Sequence, residues 1–118
     1  MKKVKMLILA MFLVTLASSA YAVNYAGDLD IRRVRVVGDI VAFGTAQQPT
    51  QTCNYFGYYF QFDVSTFGGE KMFSIISQAK VLGKKLEVWY SPSTAPGTNY
   101  TNGCTEPAIA IVRGVAFN

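Results

Sequence analysis

The chain has 118 residues, 51% of them hydrophobic and 14% aromatic, with no histidine and two cysteines. Its formal net charge is +4, and Lys2, Lys3 and Lys5 at the extreme N-terminus supply three of those charges. The missing histidine removes the commonest general base and metal ligand, and the small remaining excess of positive charge argues against a nucleic-acid partner.

Residues 1–22 read as a secretory signal peptide. Three lysines precede an unbroken apolar run from Met6 to Val14, and Ala20-Tyr21-Ala22 has the small-x-small form of a cleavage site. The run falls short of the roughly 20 apolar residues that span a bilayer, so no membrane span is expected after cleavage. Cleavage after Ala22 takes 22 residues from 118 and leaves 96, with a side-chain charge of +1 once the three leader lysines are gone. The short lysine-led leader is of bacterial type, and the expected destination is the periplasm or the cell exterior. Residues 23–118 have room for a single small β-rich domain with one modest core.

From Val23 to Asp30 the chain looks like an irregular lead-in containing Gly27. Ile31 to Val37 is β-branched with interleaved arginines, the pattern of a strand with one wet face. Arg32, Arg33 and Arg35 form the only arginine cluster, and Asp28, Asp30 and Asp39 flank it, as on an ordinary solvated surface. Gly38-Asp39 turns the chain into a second strand, Ile40 to Phe43. Gly44 to Asn54 is a polar surface loop. Tyr55 to Val64 then reads as a long central strand, with Phe56, Tyr58, Phe60, Phe62 and Val64 on the core face. Tyr55, Tyr59, Gln61 and Asp63 fall on its other face.

The stretch Gly68 to Tyr90 organises the rest. Met72, Ile75, Ile76, Ala79 and Leu82 recur at helical spacing, and Phe73 and Val81 widen that stripe. Glu70 in the first turn and Lys80, Lys84 and Lys85 at the end follow the helix dipole. Gly83 is the expected stop. The period then changes to two, with Leu86, Val88 and Tyr90 on one face of a strand and Glu87 and Trp89 on the other, until Pro92. Ser91 to Pro107 lacks apolar periodicity and is a long loop of the kind that often carries function. Ala108 to Phe117 is the last strand, with Gly114 marking a bend or bulge.

Cys53 and Cys104 are expected to form a disulfide, because an oxidising compartment favours pairing and a small exported domain needs a staple. Two cysteines without a histidine make a poor metal site, and no metal or cofactor is expected. The element order is strand, strand, strand, helix, strand, strand, that of an OB-fold, a five-stranded partly open barrel. The alternative is an open antiparallel α+β sheet with one helix across it.

Gln78-Ala79, then Gly83-Lys84, then Leu86, Val88 and Tyr90, followed by a cysteine-bearing loop and a final apolar strand, resemble small exported bacterial OB-fold proteins. These include the binding subunits of the subtilase-cytotoxin and typhoid-toxin class, as well as uncharacterised small secreted proteins. The resemblance covers about a quarter of the chain beyond the leader. It implies an OB-fold, a homo-oligomeric ring and a glycan ligand. No binding residue is carried over from it.

Catalysis is not expected. Both cysteines are committed to a bridge, Asp63 and Glu70 are the nearest approach to a carboxylate pair, and Gly68-Gly69 reads as a plain turn rather than an anion cradle. Asn99-Tyr100-Thr101 matches a glycosylation acceptor, which matters only in a host that glycosylates. The aromatic surplus points to binding instead. Tyr55, Tyr59, Trp89 and Tyr100 are the candidate ligand or partner contacts, flat amphipathic side chains that stack on sugars or anchor proteins. The expected function is a non-enzymatic glycan-binding module. The alternative is a protein–protein module, such as an inhibitor or immunity protein, with Ser91 to Pro107 as its inserting element and an envelope or secreted protein as partner.

Overall fold

The computed structural model describes residues 23–118, and the signal-peptide expectation for residues 1–22 lies outside them. Six strands and one helix follow one another as β1 (Asn24–Leu29), β2 (Ile31–Val37), β3 (Ile40–Thr45), β4 (Phe60–Asp63), α1 (Phe67–Leu82), β5 (Leu86–Ser91) and β6 (Ala110–Phe117). Two short 3-10 turns, Tyr100–Asn102 and Glu106–Ala108, break up the last loop. The domain is mainly β with one helix, as expected.

The strands form one open sheet in the order β1-β5-β6-β4-β3-β2, where five strands in a barrel were expected. All neighbours are antiparallel except β4 and β6, which run parallel with Phe60 opposite Ala110. The extra strand is the supposed lead-in. β1 pairs with β5 through Asn24↔Tyr90, Tyr25↔Trp89 and Ala26↔Val88, then bulges before Leu29↔Leu86. Asp28 takes a left-handed φ of 55° there, which the sequence pattern of a regular strand does not announce. Asp30 alone separates β1 from β2, so the two edge strands of the sheet are joined at one corner.

The main hydrophobic core gathers against this sheet. Leu29, Val41, Phe43, Phe60, Phe62, Leu86, Val88, Tyr90, Ala110 and Val112 from five strands meet Ile76 and Ala79 of α1. Ile31 and Val34 of β2 pack against the same cluster. The alternation of β5 holds as read: Leu86, Val88 and Tyr90 are buried, and Trp89 faces out. β6 is central in the ladder, and its bulge places Trp89 opposite Gly114 but Tyr90 opposite Val112.

α1 packs on β6. Thr66 caps its N-terminus, with its Oγ1 accepting from the Gly69 amide at 2.9 Å, so that amide is used locally. Gly83 ends the helix at φ 66°, donating to the carbonyls of Ala79 and Lys80. The apolar stripe is narrower than its spacing implied. Val81 is 85% exposed and Leu82 60% exposed, while Ala79 in the same turn is fully buried, so these two side chains lie on the solvent side of the helix.

The long strand from Tyr55 to Val64 is a second correction. Only Phe60–Asp63 is strand. Tyr55 and Tyr58 instead exchange two backbone hydrogen bonds of 3.0 Å across a tight turn, with left-handed φ at Phe56 (51°) and Gly57 (91°). Two consecutive positive φ values make this a primed turn, which glycine and asparagine tolerate and phenylalanine does not. Phe56 therefore leaves the core, while Phe60 and Phe62 stay in it.

Candidate functional site

The disulfide builds the platform for the most unusual surface of the molecule. Cys53 and Cys104 are bridged, with Cα atoms 5.8 Å apart. Both are buried in a small second cluster with Ala42 and Ile109, against which Tyr55, Tyr58 and Ala95 rest. This cluster fastens the 54–58 turn and the 91–109 loop to the outer side of the sheet. Backbone hydrogen bonds join the turn to the loop, from Asn54 N to Thr98 O at 2.8 Å, and close the loop on itself, from Thr94 N to Ala108 O at 3.0 Å.

The Phe56 turn is clamped from several sides. Asn54 Oδ1 accepts from the Gly57 amide at 2.6 Å, and Arg33 donates through a terminal guanidinium nitrogen to the Phe56 carbonyl at 2.6 Å. Gly44 passes so close beneath that a Cβ there would sit 1.7 Å from the Gly57 carbonyl oxygen. A bulky residue in the left-handed region costs on the order of 1–2 kcal/mol and persists only where its surroundings impose it. Such strain is characteristic of functional surfaces.

What the strain accomplishes is to hold an aromatic ring out in solvent. Phe56 is 54% exposed and Tyr100 49% exposed, and their rings stack with centroids 4.3 Å apart and an interplanar angle of 17°. Tyr55 meets Phe56 edge-on at 4.9 Å. Behind them the guanidinium groups of Arg33 and Arg35 lie 5.2 and 4.5 Å from the Tyr58 ring centroid, a cation–π arrangement. Arg35 also pairs with Glu106, which ties the second 3-10 turn to β2. Asn99, from the acceptor-like triplet, caps the first 3-10 turn, and its backbone amide donates to Asn102 Oδ1 at 2.7 Å.

Glu106 links this surface to a shallow groove of about 490 Å³ lined by Ile40, Gln61, Phe62, Asp63, Glu106, Pro107 and Ile111. Its volume is within the range of small-ligand sites, and its walls are mainly apolar. Gln61 crosses its floor, donating to the carbonyls of Pro107 and Ile109 at 3.2 and 3.3 Å.

The four aromatic candidates separate. Tyr55 and Tyr100 come together through Phe56. Tyr59 is half-buried against the main core, and its backbone bonds to Phe43 and Ala110 hold it between β3 and β6. Trp89 lies on another part of the outer surface, 38% exposed and packed against Tyr25 at 5.2 Å. Sequence reasoning missed Phe56, which a period-two reading buries, and missed Arg33, Arg35 and Tyr58 as its supports. The one available signal was Phe56-Gly57, where glycine interrupts an otherwise aromatic run and marks a turn.

Of the carboxylates Asp63 and Glu70, Asp63 is engaged within its own turn. Asp63 accepts from the Ser65 hydroxyl at 2.6 Å and the Ser65 amide at 2.8 Å. Those bonds hold its carboxyl below the ordinary value, the opposite of what a general acid requires. Among the described residues no group of three His, Cys, Asp or Glu side chains gathers where a metal ion would sit. No described helix is long and apolar enough to cross a membrane. With the buried disulfide, this is compatible with an exported protein. No family model, curated protein or solved structure matches this chain.

Proposed function

We propose that this is an exported, non-enzymatic binding module that recognises glycans through the Phe56–Tyr100 surface. The observation carrying the reading is an exposed phenylalanine held in a left-handed turn by Arg33, Asn54 and the disulfide cluster. A solvent-facing aromatic of this kind offers an apolar face to a sugar ring. Arg33, Asn54 and the tyrosine hydroxyls stand nearby to meet its hydroxyl groups. The resemblance to toxin binding subunits in the Gln78–Tyr90 segment agrees with this reading, and a homo-oligomeric ring belongs to the same proposal.

The fold proposal is an OB-like, partly open barrel in which β1 and β2 are two halves of one bent first strand. Supporting it are the single residue between them, the helix between β4 and β5, and the parallel pairing of β4 with β6. Under that reading the order of the sheet is first, fourth, fifth, third, second, first.

The alternative is a protein–protein module, and the apolar groove beside Glu106 favours it. The 91–109 loop would then present Tyr100 and Pro107 to the partner. Glycan-array binding of the oxidised protein, paired with capture from an envelope extract, separates the two. Saturable array binding lost in Phe56→Ala supports the glycan reading. A blank array with one stoichiometric protein partner, weakened by Tyr100→Ala, supports the alternative.

A further inference from the structure

A second aromatic feature stands on strands that the Phe56 surface does not use. Pairing across β1, β5 and β6 lines up Tyr25, Trp89 and Gly114. Trp89 is the chain's only tryptophan. Its ring runs alongside Gly114, with a ring atom 3.6 Å from where a Cβ on that residue would sit. Glycine contributes no side chain to cover the indole from that flank. Tyr25, 53% exposed, forms the other wall, its ring 5.2 Å away and tilted by 50°. The two rings make an open corner rather than a closed stack.

Polar groups border the corner along the strand. Tyr25 donates its hydroxyl to Glu87 at 2.6 Å, which fixes the phenol ring and leaves the carboxylate with further acceptor capacity. On the other side the β6 bulge turns Arg113 outward, and its Nε donates to Ser91 Oγ at 2.8 Å. The guanidinium has four more N–H donors. Glu87 and Ser91 are each two residues from Trp89, about 7 Å along a strand, a spacing that brackets one sugar ring.

We propose that the Tyr25–Trp89 corner is a second saccharide subsite, taking a neutral hexopyranose with its C–H face on the indole and its hydroxyls on Glu87 and Arg113. The neutrality follows from the border. Glu87 and Arg113, the two charged groups set to meet the hydroxyls, offset each other, with Asp28 the weakest of the influences on the Tyr25 phenol, so a charged ligand meets a like charge as well as an opposite one. A polyol uses the acceptor and the donor together. The subsite shares no residue with the Phe56 surface, so the domain has two ligand positions.

The test is fluorescence titration of the oxidised protein, in which Trp89 is the only indole reporter. The probes are methyl β-galactopyranoside, methyl β-glucopyranoside, lactose, glucosamine and glucuronate. At least one neutral probe should change the emission saturably. Glu87→Gln and Arg113→Gln should each raise its dissociation constant at least threefold, and Phe56→Ala should leave it unchanged. Both charged probes should bind at least threefold more weakly than that neutral probe. Unmoved emission with every probe, or a preference for either charged probe, overturns the subsite. A response abolished by Phe56→Ala assigns binding elsewhere and overturns it too. Array binding that depends on Phe56 while Trp89 emission stays still removes this subsite and leaves the Phe56 surface standing.

Discussion

The strain at Phe56 can be separated from its packing by comparing two truncations. Phe56→Ala and Phe56→Gly both remove the ring, and with it the stack on Tyr100 and the edge contact with Tyr55, so those losses cancel between them. They differ in how they tolerate a φ of 51°. Alanine keeps a left-handed cost of roughly 1–2 kcal/mol, which glycine does not have. Glycine in turn makes the unfolded chain more flexible, a disadvantage of about 0.4–1 kcal/mol. The net expectation is that the glycine variant is the more stable by about 0.5–1 kcal/mol, the reverse of the usual order. With a urea slope near ~1 kcal/mol/M for a small domain, the midpoint should lie about 0.5–1 M higher. Urea unfolding under oxidising conditions reads this directly. Equal slopes with the alanine variant as stable as the glycine variant, or more so, would refute the claim that this turn stores strain. Both variants should lose glycan binding together, since neither presents a ring.

Three further outcomes follow from the same structure. Replacing Cys53 and Cys104 with serine opens a bridge of sequence separation 51; the chain-entropy relation gives a loss of about 4 kcal/mol, read as a lower urea midpoint that reductant does not lower further. Thr66→Ala removes the cap on the Gly69 amide and should cost about 1 kcal/mol, with Thr66→Ser restoring most of it. Asp30 is held below the ordinary 3.8 first by its hydrogen bond to Lys85 and then by Gln47, and Asp63 likewise by Ser65. A carboxyl made more acidic by folding stabilises the fold fully above the unfolded value and loses that effect as pH falls through the folded value. Stability should therefore decline below about pH 4, and the Asp30→Asn, Asp63→Asn pair should flatten that decline in urea midpoints measured from pH 2 to 7. A slope identical to that of the parent would remove both groups from the account.

Local signals of one period were legible in the sequence. Ile76 and Ala79 announced the buried helix face, Gly83 its end, and Leu86, Val88 and Tyr90 the inner face of β5, because each obeys a repeat that backbone geometry imposes. The cysteine pair was legible from compartment and count. Features set by long-range pairing were not. β1 has glycine, aspartate and asparagine where strand formers are usual, and it becomes a strand only because β5 offers it an edge. The aromatic run was misread for a related reason. Alternation from Tyr55 to Val64 is the same on paper whether the first four residues extend or turn, and the turn is imposed by Arg33, Asn54, Gly44 and the neighbouring bridge. Phe56 was consequently hidden in a core it does not join. Trp89 faced outward as its parity required, but its partner Tyr25 lay in a segment read as irregular, so the corner they form was invisible.

The central claim is that Phe56 is held out of the core in order to touch a ligand. Calorimetric titration of the strongest array glycan into the oxidised parent, Phe56→Ala and Val81→Ser proteins tests it most directly. Val81 is an exposed helix residue away from the site. The account predicts at least a tenfold loss of affinity in Phe56→Ala and none in Val81→Ser. Equal affinities for all three proteins would contradict it.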